Sequence, residues 1–277
     1  MRRLRQLAPA LALTPMLLTV ALCYLGSVLW SLRMSFTASR SFPSDRLVGL
    51  LQYRRLFDNE RWLLSLQHLA LYGVLFVAAS LALGLLLAVA LDRGVRRQGV
   101  LRTVFLYPYA LSFVATGLVW QWLLAPDAGL GLDWLINEDR VMYAIVLATV
   151  WQSAGLVMVL LLAGLRGIDA QQWMAARLDG IPLWRMLWSV VLPQLRPALL
   201  TAFVLLAIAV VKLYDAVVAM TQGGPGLASE VPAKFIMDHL FGRANLGLAS
   251  AAAVMLLVPV LALLAPYALA QRRREAA

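Results

Sequence analysis

The chain has 277 residues, of which 62% are hydrophobic and only 14% charged, a balance that excludes a soluble globular domain and fits a polytopic membrane protein. The formal net charge is +10, but the basic residues are distributed between apolar segments, which argues against nucleic acid as a partner. One cysteine, Cys23, and two histidines far apart, His68 and His239, provide neither an internal disulfide nor a metal-ligand set.

Apolar runs recur at about 11–32, 66–91, 103–124, 141–165, 198–220 and 247–270. Each reaches the roughly 20 helical residues that cross a hydrocarbon core. The spacing predicts an all-α membrane fold of six spans in one domain, 1–277. The N-terminus pairs a basic start with an apolar run, as a secretion signal does. The run is longer than a signal core and no cleavage site is evident, so it reads as a retained first span, with Pro15 near its start. With six spans, fourteen arginines fall on one side: Arg2, Arg3, Arg5, Arg93, Arg96, Arg97, Arg102, Arg166, Arg177, Arg185, Arg196, Arg272, Arg273 and Arg274. The other side carries nine basic residues: Arg33, Arg40, Arg46, Arg54, Arg55, Arg61, Arg140, Lys234 and Arg243. The positive-inside rule places both termini in the cytoplasm.

After the first span comes a polar loop, 33–65. Ser41–Phe42–Pro43–Ser44 is turn material, and Gln52 to Phe57 reads as a short amphipathic surface helix. The second span carries Gly73, Ser80 and Gly84, small residues that let helices approach closely. Asp92–Gly94 and the arginines after it make a short turn. The third span contains Tyr107–Pro108–Tyr109, and a proline there frees a carbonyl that needs protein packing or a cavity beside it. Trp120, Gln121 and Trp122, near its far end, fit an interfacial aromatic belt or a sugar-stacking surface. The loop 125–140 holds Asp127, Gly129, Gly131, Asp133 and Asn137. Midway along the fourth span stand Trp151, Gln152 and Ser153; a glutamine at that depth either hydrogen-bonds a neighbouring helix or binds a hydroxyl-bearing solute. In the fifth span Lys212 and Asp215 share a helical face and can pair, as a structural couple or a functional one. A tight loop, Met220 to Gly226, follows, and the last span carries the small residues Gly247, Ser250, Ala251 and Ala252.

Between the fourth and fifth spans, residues 168–197 read as two short helices joined at a hinge. Asp169 caps the first, with Gln172 as its capping-box partner, and Gly180 suits the position after its end. Pro182 suits the first turn of the second helix, whose Leu183, Trp184, Leu187, Trp188 and Val191 fall on one face. Pattern alone leaves two readings, a linker lying on the membrane surface and a rigid elbow that docks on a partner.

The elbow resembles the cytoplasmic EAA loop of ABC importer permeases. Met174, Ala175 and Ala176 stand at the Glu-Ala-Ala, Asp179 and Gly180 at the Asp-Gly, and Leu192 and Pro193 at the late Leu-Pro. Met174 replaces the family's glutamate. Trp184, Pro197, the stretch Thr221–Gln222–Gly223–Gly224–Pro225 and Phe241–Gly242 resemble the family's carbohydrate branch. The resemblance covers about 100 to 265. It implies the type I importer permease fold, with Met174, Ala175, Ala176, Asp179, Gly180, Leu192 and Pro193 coupling to an ATPase. It also implies a second homologous permease, two ATPase subunits, an external sugar-binding protein and a bacterial inner membrane location. ATP and magnesium would belong to the ATPase. For a sugar pathway, spans three to five offer Tyr109, Trp151, Gln152, Ser153, Tyr214 and Asp215, with Trp120 and Gln121 as weaker candidates.

A phosphate-binding loop needs Gly-Lys followed by Ser or Thr, and the only lysines, Lys212 and Lys234, follow Val211 and Ala233. Of 14 acidic residues only Asp215 lies within an expected span, so ion coupling is poorly supplied. A stand-alone secondary transporter or channel, or a membrane scaffold, remain the alternatives to the ABC importer permease.

Overall fold

The computed structural model describes residues 13–92, 95–127, 129–169, 171–172 and 182–275, with side chains described except at 183–184 and 263–275. The described residues are helices and loops with one antiparallel bridge, Thr37 to Leu47. The helices are α1 (Leu13–Ser35), α2 (Leu51–Phe57), α3 (Glu60–Asp92), α4 (Gln98–Leu106), α5 (Phe113–Leu123), α6 (Val141–Arg166), α7 (183–194), α8 (Arg196–Val211), α9 (Asp215–Met220), α10 (Pro232–Met237) and α11 (Leu246–Glu275). The chain divides into two compact units, Met1–Trp62 with Phe235–Pro259 and Leu63–Lys234 with Val260–Ala277.

Two of the six expected spans are broken. Helices α1, α3 and α6 are each long and apolar enough to cross a membrane alone. The expected third span is a bent pair: α4, extended by the 3-10 turn Tyr107–Ala110, meets α5 at 97°. Leu111 and Ser112 between them are extended, with ψ of 148° and 149°. The expected fifth span ends at Val211, passes through Lys212–Leu213–Tyr214 outside any helix and resumes at Asp215. Lys212 and Asp215 therefore share no continuous helical face, and they form no ion pair among the described residues. A second bent pair, at 66°, joins the end of α7 to α8.

The larger unit is organised around α6, which is apolar along its length and buried except for a stripe through Tyr143, Leu147 and Trp151. Small residues set how closely its neighbours approach. A Cβ at Gly84 of α3 would collide with Val157 of α6, and one at Gly155 of α6 would collide with the Phe105 carbonyl of α4. Against the other end of α6, Met186, Val191 and Leu195 join Leu165 and Ile168 in one buried cluster. Trp188, expected on that packed face, is 72% exposed. The reason is local. Pro193 has no N–H and its ring crowds the carbonyl four residues back, and the turn before it, Leu187–Val191, widens to a π-helix in which Leu192 N–H reaches the Leu187 carbonyl. The extra residue turns Trp188 away from the core.

In the smaller unit, α1 is exposed along most of its length and ends on the buried Met34 and Ser35. The chain then folds into a hairpin closed by Ala38 N–H to the Arg46 carbonyl at 2.9 Å and Val48 N–H to the Phe36 carbonyl at 2.8 Å. Helix α2 buries Gln52 and Leu56. Trp62, Phe235 and His239 pack ring against ring at tilted angles, with ring centroids 5.3 and 4.0 Å apart. Arg61 pairs with Asp238 beside them.

The Gly155 contact is with backbone, which cannot swing aside. Gly155→Ala is expected to destabilise the protein by about 1–3 kcal/mol through overpacking. Gly99 of α4 has open space around it, and Gly99→Ala should stabilise by up to about 1 kcal/mol through helix propensity. Thermal unfolding in detergent reads both signs; a neutral Gly155→Ala would show that α4 and α6 are not closely apposed.

His239 Nδ1 lies 2.9 Å from the Phe235 carbonyl, and since a carbonyl only accepts, that nitrogen carries the hydrogen. Burial pushes the imidazole pKa below 6.5; Arg243 and Arg61 act the same way, while the Phe235 carbonyl and Asp238 oppose. A depressed folded pKa means that the neutral ring's stabilisation is present above about pH 6.5 and is lost as pH falls through the folded value. Acidifying from about pH 7.5 to about pH 5 should therefore lower the melting temperature of wild type more than that of His239→Phe. Equal losses would assign the titration to another group.

Candidate functional site

The two helix breaks lie on one cavity. At membrane depth irregular backbone is tolerated only where it is buried in protein or faces a water-filled space. A cavity of about 280 Å³ is lined by both broken segments: Tyr109 and Phe113 flank the first break, and Lys212, Leu213, Tyr214 and Asp215 form the second. Thr149 and Ser153 of α6 and Tyr72 and Phe76 of α3 complete its walls. Tyr72 and Phe76 stack nearly parallel, 5.1 Å apart. Aromatic faces, hydroxyls, one cation and one anion thus surround a space near the low end of the roughly 300–1,000 Å³ range of small-molecule sites. That set can hold a small solute bearing several hydroxyls.

Four of the residues singled out in the sequence, Tyr109, Ser153, Tyr214 and Asp215, meet in this lining. Gln152 and Trp151 are not part of it. Gln152 is 1% exposed and donates its Nε2–H to the Leu111 carbonyl at 2.8 Å, in the first break. The helix cannot satisfy that carbonyl, because the chain is extended there, so α6 supplies the donor. Ser112 caps α5 on the other side of the break by accepting from Ala115 N–H at 3.1 Å. The Trp151 ring meets Trp120 edge-on, 5.9 Å away. Tyr72 and Thr149 were not singled out in the sequence; the signal they carried is a polar group in the middle of an apolar span.

A second cavity, about 470 Å³, adjoins the glycine-rich loop and is lined by Gln121, Gln222, Gly224 and Pro225 among others. The loop is held from within. Thr221 and Ser229 hydroxyls are 2.7 Å apart, and Ser229 donates to the Gly224 carbonyl at 2.8 Å. Gly223 takes φ +92°, which other residues resist, and its α-carbon backs onto the Lys234 side chain.

Of the elbow residues, Met174, Ala175, Ala176, Asp179 and Gly180 lie outside the described residues. Leu192 is half-buried and Pro193 exposed in α7. Asp169 acts as a local cap: its carboxylate accepts from Gln171 N–H at 2.9 Å. Gln172 Oε1 accepts from Gln194 Nε2 at 2.5 Å, which ties the start of the elbow to its end.

Broken apolar helices thus surround a largely apolar cavity with tyrosine, serine and threonine side chains in its wall. Residues 80–275 match the family of binding-protein-dependent transport system inner membrane components, and the chain belongs to that family. It is a permease subunit of an ABC importer. A probable ABC transporter permease protein of Pyrococcus horikoshii is 36% identical over 271 residues, covering 93% of each chain. A xylose/arabinose import permease protein of Haloferax volcanii is 30% identical over 256 residues, covering 87% of this chain and 81% of that one. Among solved structures, a chain of a bacterial ABC transporter that imports the acidic polysaccharide alginate superposes with TM-score 0.81 at 18% identity, covering 98% of this chain and 99% of its own.

The Gln152 bond has a measurable consequence. Gln152→Ala leaves the Leu111 carbonyl without its donor and should cost about 1–3 kcal/mol. Gln152→Glu keeps the shape but, when ionised, offers no N–H, and should cost at least as much. Thermal unfolding of the two variants checks this; an unchanged midpoint in both would mean that the break is held elsewhere.

Proposed function

We propose that this chain is one half of a paired permease that passes a neutral sugar or small polyol across the inner membrane. An external binding protein delivers the solute, and ATP hydrolysis in two copies of a cytoplasmic ATPase subunit drives the step. The observation that carries this reading is the cavity at the 212–214 break, where Tyr109, Ser153 and Tyr214 bring hydroxyls and ring faces together. Sugars present hydroxyls and weakly apolar faces, which such a lining matches. The Haloferax volcanii relative, named for xylose and arabinose import, supports the same class.

Lys212 and Asp215, at the cavity, are exposed in the single chain. Charges at membrane depth face protein or water rather than lipid, so a second permease presenting its own half is the natural cover. Both termini and the elbow are cytoplasmic in this reading, which follows the arginine distribution. Met174, Ala175, Ala176, Asp179, Gly180, Leu192 and Pro193 then form the surface that seats in the ATPase. Met174 offers an apolar side chain where the family has glutamate. The sequence contains no Gly-Lys-Ser/Thr phosphate loop, which supports a reading in which ATP and Mg²⁺ belong to the ATPase partner.

Within the cavity Tyr214, Asp215, Ser153 and Tyr109 meet the solute, while Gln152 and, beside it, Trp151 position the broken spans. The test is reconstitution of this chain with its partner permease, ATPase and binding protein in liposomes, with ATPase activity and uptake of labelled xylose, maltose or glycerol followed. Tyr214→Ala should lower solute-stimulated activity about tenfold, the equivalent of about 1.4 kcal/mol, and leave basal hydrolysis intact. Wild-type stimulation in that variant would remove the cavity from the pathway. Robust uptake without the second permease would overturn the pairing.

A further inference from the structure

The smaller unit carries a third, differently built cavity, about 320 Å³ in volume, that the transport reading does not use. Its lining includes Arg40 and Arg46 of the hairpin, Arg55 and Gln52 of α2, and Asn245 just before α11. None of the three arginines makes an ion pair among the described residues; the nearby acid, Asp45, is taken by Arg33. Gln52 is 3% exposed. It spends its Nε2–H on the Thr37 carbonyl at 2.8 Å, and its Oε1 has no hydrogen-bond partner. Asn245 Oδ1 accepts from Leu248 N–H at 3.3 Å, which leaves its amide hydrogens without a partner among the described residues. The site therefore offers three guanidinium groups and an amide donor, over a buried acceptor with nothing to accept from.

Its depth is fixed by covalent connection. The hairpin begins two residues after α1 ends at Ser35, and Asn245 immediately precedes α11. The cavity thus lies where apolar helices leave the hydrocarbon, at headgroup level. Around the arginines, Phe42, Leu47 and Leu50 are 82%, 70% and 69% exposed. Large exposed apolar side chains beside unpaired arginines suit a surface that dips into acyl chains and meets phosphates above them. Guanidinium groups bind phosphate oxygens with paired N–H bonds.

We propose that Arg40, Arg46 and Arg55, with Asn245, bind the phosphate of an anionic glycerophospholipid, and that the orphaned Gln52 Oε1 accepts from a headgroup hydroxyl. Phosphatidylglycerol has both features. The site tethers the hairpin and the start of α11 to one leaflet.

The test is native mass spectrometry of the delipidated full chain titrated with phosphatidylglycerol, phosphatidylcholine, inorganic phosphate and glycerol phosphate. Arg40→Gln with Arg46→Gln is compared with Arg54→Gln with Arg243→Gln, a pair of equal charge outside the cavity lining. Wild type should prefer phosphatidylglycerol to phosphatidylcholine. The cavity pair should weaken phosphatidylglycerol binding roughly thirtyfold, at a factor of about five per basic side chain, and the control pair should weaken it little. Equal loss in the two pairs would reduce the effect to net charge and overturn the site. Inorganic phosphate or glycerol phosphate binding as tightly as the lipid would assign the cavity to a soluble phosphate instead. Unchanged lipid binding in the cavity pair, with weakened docking of the external binding protein, would make the patch a protein contact and likewise end the proposal.

Discussion

A peptide carbonyl inside a hydrocarbon layer has no water to bond, and that constraint governs how this chain can break its helices. The extended pair Leu111–Ser112 survives because Gln152 reaches across from α6 to the Leu111 carbonyl. Without a donor fixed on another helix, the regular α-helix would be the only stable course for residues 98–123. The cavity follows from this single contact, since the bend at Leu111 holds Tyr109 and Phe113 against the second break at 212–214. The side chain that looks most like a solute ligand in the sequence is spent on holding the fold open.

Helix α6 can serve as that fixed donor because it is itself immobilised. Its neighbours approach to the limit that Gly84 and Gly155 allow. Close-packed interiors resist small displacements and move instead as blocks. Met186, Val191 and Leu195 insert into the same cluster as Leu165 and Ile168. A push on α7 therefore reaches α6 and α8 directly. An importer needs such a linkage, because the energy source and the pathway lie at different depths.

Much of this was legible in the residues, and the failures have a common origin. The apolar runs marked the helical segments, and small residues in span two marked the close approaches. The short helix read at 52–57 begins one residue earlier, at Leu51. Asp169 does accept from Gln171 N–H, but Gln172, expected as its capping-box partner, bonds Gln194 instead. The two breaks were not. Pro108 signalled strain in the third span, but the chain actually turns at Leu111–Ser112, where no glycine or proline stands. Lys212–Leu213–Tyr214 likewise contains no breaker. Both are tertiary outcomes, decided by partners elsewhere in the chain, and periodicity within a segment carries no information about them. The pairing inferred for Lys212 and Asp215 failed for that reason: spacing along the sequence implies a shared face only while the helix continues. Trp188 was misplaced by a similar assumption, that one helical pitch holds from end to end.

The π-turn at Leu187–Val191 has a consequence for which residues of α7 face the core. An α-helix advances about 100° per residue, so one surplus residue rotates everything before it by about that angle relative to everything after it. A helical wheel drawn through 183–194 therefore assigns the wrong faces to one half or the other. Met186, five residues before Val191, is thereby brought into the same buried cluster as Val191 and Leu195. The widened turn works as a phase shifter, keeping Met186 and Val191 on the packed side while Trp188 between them faces outward.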